Sequence, residues 1–481
     1  MEVRDTFYVG GAWTPGAGAG VREVLDANTE EVFGKIPEGT TDDVERAIDV
    51  AVEAFGPWSA TRAEERAGIL SRISKGLAAR REEIATTISH EVGTPLALSR
   101  TIQAGLASGV FADAAARIGE VAWEEELGSS LVVREPVGVV GAITPWDHPL
   151  QQISLDVAAA LAVGCTVVVK PSEIAPLSAY VLAEILDESG VPPGVFNMVV
   201  GPGPIVGEAI AAHPRVDMVA FTGSTRTGRR VMELASRTPT RVALRLGGKS
   251  ASVLLQDADL DAAVAATVRS CFLFSGQTAW GLTRMIVPRA KLPQVEERAV
   301  EAAGAYAVGS SLDESTTLGP LSCPGQLQRV RGCIRAGIDQ GAKLLIGGPE
   351  APDGLERGYF VRPTVFSEVT SDMIIAREEI FGPVLAILPY DTEEEAVRIA
   401  NDSDYGLAGA LWTADPACAQ RVARLLRTGV VAVNGVRPDP SAPFGGCKAS
   451  GFGRQGGRLG LEELLCAKTI GRSGAGWPPA G

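Results

Sequence analysis

Histidine is scarce in this 481-residue chain. His90, His148 and His213 are the only three, and they lie too far apart to suggest a metal centre. Cysteine is present but unorganised: Cys165, Cys271, Cys323, Cys333, Cys418, Cys447 and Cys466 are odd in number and scattered, and no CxxC occurs. That pattern argues against a disulfide framework or a zinc cluster, and it fits a reducing cytoplasm. No apolar run is long enough to cross a bilayer. The longest, residues 157–169, follows Asp156, is broken by Gly164, and reads as a buried helix running into a buried strand. The amino terminus, MEVRDTFYVGG, has no basic-then-apolar signal pattern. Basic residues are outnumbered, 44 Lys and Arg against 58 Asp and Glu, which gives a net charge of −14. An acidic surface repels phosphate backbones and anionic lipid, so neither nucleic acid nor membrane is expected as a partner.

What is present is an ordinary globular composition, 46% hydrophobic and 21% charged, in a chain long enough for about three domains or lobes. Thr40 and Asp43 form a capping-box pattern. Val44, Ala47, Ile48, Ala51, Val52 and Phe55 then recur at helical spacing, so a helix with one buried face is expected there. A second helix is expected over 64–91, before the turn Gly93-Thr94-Pro95. From 166 the pattern alternates: strand to Lys170, helix 177–189 closed by Gly190, strand 195–200, helix 205–212, strand 216–222, a helix, and strand 242–246. Such alternation implies a parallel sheet covered on both faces, with ligands at the carboxyl ends of its strands. A second alternating region runs from about 251 to 449, with a helix over 260–274 and strands near 285–287, 343–346 and 384–389. The strand-like segment 120–134 reads as a projecting hairpin suited to assembly. The last ten residues, RSGAGWPPAG, read as a tail without fixed structure.

The Gly-rich string Gly201-Pro-Gly203-Pro-Ile-Val-Gly207 follows a strand and opens a helix. It is GxGxxxG, and alone it fits a tight turn as well as a nucleotide site. Its neighbours are more telling. Phe221-Thr-Gly-Ser224 follows the next strand and enters a helix, where backbone amides and a hydroxyl suit a diphosphate. Lys170-Pro-Ser-Glu173 ends the preceding strand. A carboxylate there can accept from ribose hydroxyls and would repel a 2′-phosphate, favouring NAD over NADP.

Taken in order, Gly10-Gly-Ala-Trp13, Pro136-Val-Gly-Val-Val140, Thr144-Pro-Trp146, Lys170-Pro-Ser-Glu173, Phe221-Thr-Gly-Ser224 and Leu246-Gly-Gly-Lys249 resemble the NAD(P)-dependent aldehyde dehydrogenase superfamily. So do Gly276-Gln277, Glu378-Glu-Ile-Phe-Gly-Pro383, Pro443-Phe-Gly-Gly446 and Ser450-Gly-Phe-Gly-Arg454. The resemblance covers nearly the whole chain. It implies an α/β architecture with two doubly wound parallel-sheet domains and a small β oligomerisation element. A cofactor domain would take 1–118 and 137–246, a catalytic-type domain 247–449, and the assembly element and tail 119–136 and 450–481. It also implies roles. Lys170, Ser172 and Glu173 would lie at the adenosine ribose, Gly203 and Gly207 near the adenine, and Phe221, Thr222, Gly223 and Ser224 at the diphosphate. Ile143, Thr144, Pro145, Trp146, Leu246 and Gly247 would line the cofactor channel, and Glu379 and Phe381 would meet the nicotinamide ribose and ring. A homodimer or homotetramer, a small-molecule substrate and no metal are implied as well.

The chemical positions break this pattern. The family's nucleophilic cysteine follows Gly-Gln by two residues; here Gly276-Gln277-Thr278 leads to Ala279, and Arg284 follows in register. A methyl group cannot attack a carbonyl. The glutamate that opens the Leu-Gly-Gly-Lys string is Arg245, a permanent cation that cannot take a proton. The oxyanion asparagine after Pro-Trp is Asp147, followed by His148. Cys271 reads as a core residue; Cys447 lies nearer the site by resemblance. Asp147 and Arg245 are candidates for an ion pair across the pocket, and Arg245 alternatively for bidentate capture of an anionic substrate. The leading reading is an NAD(P)-dependent oxidoreductase that moves hydride directly to or from a carbonyl, imine or hemiaminal without a thiol adduct. The alternatives are a non-redox lyase or cyclase using Asp147 and Arg245, an inactive subunit that assembles with a cysteine-bearing relative, and an ordinary aldehyde dehydrogenase whose cysteine has been replaced at 279. Residues 438–443 and the loop at Gly281 are expected to shape the substrate entrance.

Overall fold

The computed structural model describes residues 2–436, 438–439 and 441–471. The tail expectation for 472–481, and the part of the entrance loop at 440, lie outside the described residues.

Two large sheets organise the chain. The first has eight strands. Its centre is parallel, in the order Arg241–Leu246, Met218–Gly223, Val139–Ile143, Thr166–Lys170 and Phe196–Met198. Antiparallel edges close it: Gly451–Phe452 on one side, Thr6–Val9 and Ala12–Pro15 on the other. The central strands are nearly all apolar and buried, as a sheet with helices on both faces requires. The second sheet has seven strands, with Thr364–Ser367, Val384–Tyr390, Leu282–Pro288, Ser250–Leu254, Ala408–Trp412 and Val430–Val433 parallel in that order. Lys343–Ile346 is its antiparallel edge. Smaller sheets complete the molecule, among them Leu465–Gly471, Ser130–Pro136 and Glu124–Leu127.

The expected elements appear with shifted ends. Thr40 caps the helix Thr41–Ser59 through a full capping box with Asp43. The single helix expected over 64–91 is two, Ala63–Ala79 and Arg81–Val92. The backbone breaks at Arg80 (φ −100°, ψ 17°), whose guanidinium grips Glu83 and Glu184, a tertiary contact that no helical periodicity records. The strand expected over 195–200 shortens to Phe196–Met198, and that near 285–287 lengthens to Leu282–Pro288. The 205–212 helix opens with a π turn, Gly203–Gly207. The helix expected over 260–274 stops at Phe272, because Phe274 and Ser275 take left-handed conformations (φ 53° and 58°). That reversal turns the chain toward Gly276 and the segment carrying Ala279. Gly276 (φ +75°) packs directly on the backbone of Gly382 and leaves no room for a side chain.

The hairpin expected over 120–134 is present as Glu124–Leu127 and Ser130–Pro136, with Gly128 at φ +58° in its turn. No helix among the described residues is long and apolar enough to cross a membrane.

Candidate active site

The carboxyl ends of the first sheet carry the expected cofactor residues, and the structure brings most of them together. Lys170 ends its strand 3% exposed, with Nζ 2.7 Å from Glu173 Oε2. Burial lowers the lysine's pKa against the pull of Glu173. Burial would raise Glu173, but the Lys170 charge, the hydrogen bond to it and the Gly203 N–H outweigh that and hold the carboxyl below its usual range. Gly203 N–H reaches Glu173 Oε1 at 3.4 Å. The Gly207 backbone faces Ile143 and the Lys170 stem. Ser172 is buried and accepts from Ile174 N–H. Phe221 packs under Gly223, while Ser224 caps the helix Thr225–Ala235 by accepting from Thr227 N–H.

A second group of the expected residues is drawn together from both sheets. Trp146 and Phe381 meet edge to face, 5.4 Å between centroids. Gly247 packs against the Glu379 carboxylate, and Gly248 N–H donates to Glu379 Oε1 at 2.9 Å. The Ala279 carbonyl oxygen packs against Gly248, so Leu246, Gly247 and Gly248 form the seam between positions 279 and 379. Neither hydroxyl of Thr144 and Thr222 finds a partner among the described residues, although both are buried. Unsatisfied hydroxyls of this kind fit a polar cofactor lying across them. No group of three or more His, Cys, Asp or Glu among the described residues could hold a metal.

Asp147 is 7% exposed and next to the 279 segment. The link is His148, whose Nε2 lies 3.3 Å from Thr278 Oγ1 and whose ring stands edge-on to Phe274. Burial pushes the Asp147 carboxyl up to about 7, against backbone N–H bonds from itself and His148. Burial also lowers His148 to about 4, so its imidazole is neutral and its 3.9 Å approach to Asp147 is not an ion pair. Burial raises Glu379 to about 7, countered by Gly248 N–H and reinforced by the Asp147 charge. The site thus holds two carboxyl groups that titrate near neutrality.

The Asp147 shift has a testable sign. Its folded pKa lies above its unfolded one, so its cost to folding grows as pH rises from about 4 and levels off above about 7. Asp147→Asn should therefore raise the thermal midpoint at pH 8, by at most about 4 kcal/mol of stability. The gain should shrink steadily on acidification. A midpoint gain that does not fall from pH 8 to pH 5 would refute the assignment.

The expected Asp147–Arg245 pair is not formed. Arg245 Nη1 bonds Asp156 Oδ1 at 2.7 Å, and Gln455 Nε2 reaches the same oxygen at 3.1 Å. Both charged side chains are largely buried, 10% and 2% exposed. Burial pushes the Asp156 carboxyl upward, with Arg245 and Gln455 pulling the other way. Asp156 lies on the helix Pro149–Val163, which packs across the sheet face carrying Arg245; Asp147 lies on the loop before that helix. Sequence reasoning missed Asp156 and Gln455, though the one charge in the helix Pro149–Val163 was the available signal. The two candidate thiols are engaged elsewhere. Cys271 Sγ lies 3.4 Å from the Val384 carbonyl, with burial pushing its thiol up to about 12; Cys447 Sγ contacts the Gly406 and Arg427 carbonyls.

The profile described as "Aldehyde dehydrogenase family" matches residues 13–470. The chain belongs to the aldehyde dehydrogenase family. Among its relatives is a 3-succinoylsemialdehyde-pyridine dehydrogenase of a Pseudomonas species, 50% identical over 465 residues, covering 96% of this chain and 98% of the relative. Aldehyde dehydrogenase C from Pseudomonas syringae, solved as a cysteine-to-alanine mutant with NAD+ and octanal, is 45% identical with a TM-score of 0.96, covering 99% of this chain and 98% of that one. A Mycobacterium tuberculosis aldehyde dehydrogenase solved with NAD+ is 40% identical with a TM-score of 0.96, covering 99% and 100%. The fold is therefore that of an aldehyde dehydrogenase, an α/β molecule with two parallel-sheet domains, and the chain is an oxidoreductase by family.

Proposed function

We propose that this chain is an NAD-dependent oxidoreductase that moves hydride directly between a substrate carbon and the nicotinamide, with no thiohemiacetal. The observation that supports this reading is the methyl group of Ala279, on the segment seated against Gly248 and beside the His148–Thr278 contact, where the sequence resemblance implies the family's sulfur. When bound, NAD supplies the hydride acceptor or donor. Lys170 and Glu173 would hold its adenosine ribose, the Phe221–Ser224 turn its diphosphate, and Glu379 and Phe381 its nicotinamide end. The relatives solved with NAD+ support the cofactor, and the carboxylate of Glu173 favours NAD over NADP.

In the oxidative direction, the Asp147 carboxylate would take the O–H proton of an aldehyde hydrate or hemiaminal, or the N–H proton of an amine, as the carbon gives up its hydride to bound NAD, leaving C=O or C=N. In reduction, protonated Asp147 returns that proton. A carboxyl titrating near 7 serves either direction at neutral pH. Suitable substrates are a small aldehyde (oxidised as its hydrate, or reduced), a hemiaminal (oxidised) or an imine (reduced), none of which needs a sulfur adduct. The cysteine-to-alanine mutant of the P. syringae relative holds both NAD+ and an aldehyde, which supports binding without a thiol. Arg245 is not cast as the substrate ligand, because Asp156 engages its guanidinium. Assembly as a homodimer or homotetramer, with the 120–134 hairpin contributing, and a cytoplasmic location belong to the same proposal.

Stopped-flow absorbance of reduced nicotinamide tests it. With an aldehyde, imine or hemiaminal panel, hydride transfer should be seen, and Asp147→Asn should slow it by about 10²-fold or more without abolishing NADH binding. Intact NADH binding with no turnover would defeat the proposal in favour of an inactive subunit. Product formed without any change in nicotinamide absorbance would defeat it in favour of a lyase or cyclase.

A further inference from the structure

Gln103 has no part in the chemistry proposed above, yet it is bonded to the residue on which that chemistry turns. Its side chain is fully buried. Nε2 donates to the Asp147 carbonyl oxygen at 2.8 Å, while Oε1 finds no partner among the described residues. A buried amide left half satisfied costs more than an apolar side chain of similar size. Packing alone therefore does not account for it.

The backbone that presents Gln103 is unusual as well. Residues Ser99–Gln103 form a π turn, closed by the Ala104 N–H on the Ser99 carbonyl five residues back. Such turns are rare and recur at functional sites. This one is anchored at its start. Ser99, also fully buried, donates through Oγ to the Thr94 carbonyl and accepts from Ser89 Oγ at 3.0 Å. The Ser89 carbonyl in turn accepts from Ser311 Oγ of the second lobe at 2.7 Å. A buried polar chain thus fixes one end of the turn, and the other end holds Asp147.

The bond falls on a particular peptide. The Asp147 carbonyl and the His148 N–H belong to one planar unit, so a donor on the oxygen fixes where the N–H points. The same donor polarises the peptide and strengthens its N–H. That N–H dipole, with the one of Asp147 itself, favours the ionised carboxyl of Asp147 against the cost of its burial. His148, carried on this peptide, also makes the contact with Thr278 beside position 279. The other titratable groups near the Asp147 carboxyl are the His148 ring, 3.9 Å away on the same loop, and Glu379 from the second lobe. Neither brings a positive charge, since burial keeps His148 neutral. Arg100, the one charged residue of the π turn, is engaged by Glu82 and Glu314 instead.

We infer that Gln103 is a positioning residue for Asp147: by holding the Asp147–His148 peptide it keeps the His148 N–H directed at the Asp147 carboxylate, and so keeps that carboxyl able to give up its proton. The catalytic meaning of this rests on Asp147 as the proton carrier of the proposed reaction.

Infrared difference spectra of the full-length protein, with and without Asp147→Asn, isolate the protonated-carboxyl band of residue 147 as pH is varied. Gln103→Met keeps the volume and removes the donor. It should move the titration of that band upward by about one pH unit, a roughly tenfold tighter hold on the proton. The pH profile of hydride transfer should move with it, while NADH affinity stays unchanged. Gln103→Asn keeps an amide but is one methylene too short to hold the same bond. It should shift the band in the same direction, and it decides the matter if Gln103→Met does not fold. A merely structural role would lower the thermal midpoint of these variants and leave the band titrating as in wild type, and that result overturns the inference. A shifted band in a protein whose wild type transfers no hydride upholds the role of Gln103 and removes the proposed reaction instead.

Discussion

Ala279→Cys, with nothing else changed, is expected to give a single burst of NADH from an aldehyde and then almost no turnover. A thiol at 279 restores the attacking group, so hydride can leave a thiohemiacetal and an acyl-enzyme accumulates. Hydrolysis of that thioester needs a base, and the sequence resemblance implies that the family's base position is held here by Arg245, which cannot accept a proton. The obvious repair, Arg245→Glu, carries a cost visible only in the fold. The new carboxylate would sit in the ion-pair position beside buried Asp156, where two like charges raise each other's pKa and one stays protonated. The productive combination is therefore Ala279→Cys/Arg245→Glu/Asp156→Asn, expected to turn over about 10²–10⁴ times faster in steady state than Ala279→Cys alone. Rapid-quench and steady-state NADH formation separate burst from turnover. Sustained turnover in Ala279→Cys alone, at a rate matching the triple variant, would show that Asp147 or Glu379 already serves as the hydrolytic base and that no carboxylate at 245 is needed.

Asp156→Leu should cost about 3–5 kcal/mol of stability, because it strands the Arg245 guanidinium in a largely buried position. Asp156→Leu/Arg245→Leu should recover most of that loss, since exchanging a whole buried pair for apolar side chains is often neutral. Thermal and denaturant unfolding midpoints of the two variants supply the comparison. A single variant within about 1 kcal/mol of wild type would mean that water or another acceptor already serves Arg245. A double variant no better than the single would mean that the loss comes from packing on the helix Pro149–Val163 rather than from charge.

Several contacts among the expected cofactor residues were legible in the sequence because their determinants are local. Lys170 and Glu173 are three residues apart, and the turn that ends their strand brings them to 2.7 Å. Ser224 precedes a helix and caps it. The capping box at Thr40 and Asp43 follows the same logic, needing no information beyond four residues. Reading failed where a distant contact overrode a local preference. Arg80 splits a helix that its periodicity would continue, because Glu184 lies beyond the reach of any helical window. Phe274 and Ser275 stop the next helix early, in left-handed conformations that neither residue type prefers.

The partner of Arg245 shows the division most clearly. Sequence alone determined which side chains stand at the three positions on which the proposed chemistry rests: a methyl at 279, a guanidinium at 245 and a carboxyl at 147. Side-chain identity is local and needs no fold to be read. Only the tertiary structure decided that the guanidinium goes to Asp156, 89 residues away, rather than to the carboxyl beside the pocket. That choice depends on how the helix Pro149–Val163 lies across the strand Arg241–Leu246, and on Gln455 arriving from the far end of the chain to hold the same oxygen.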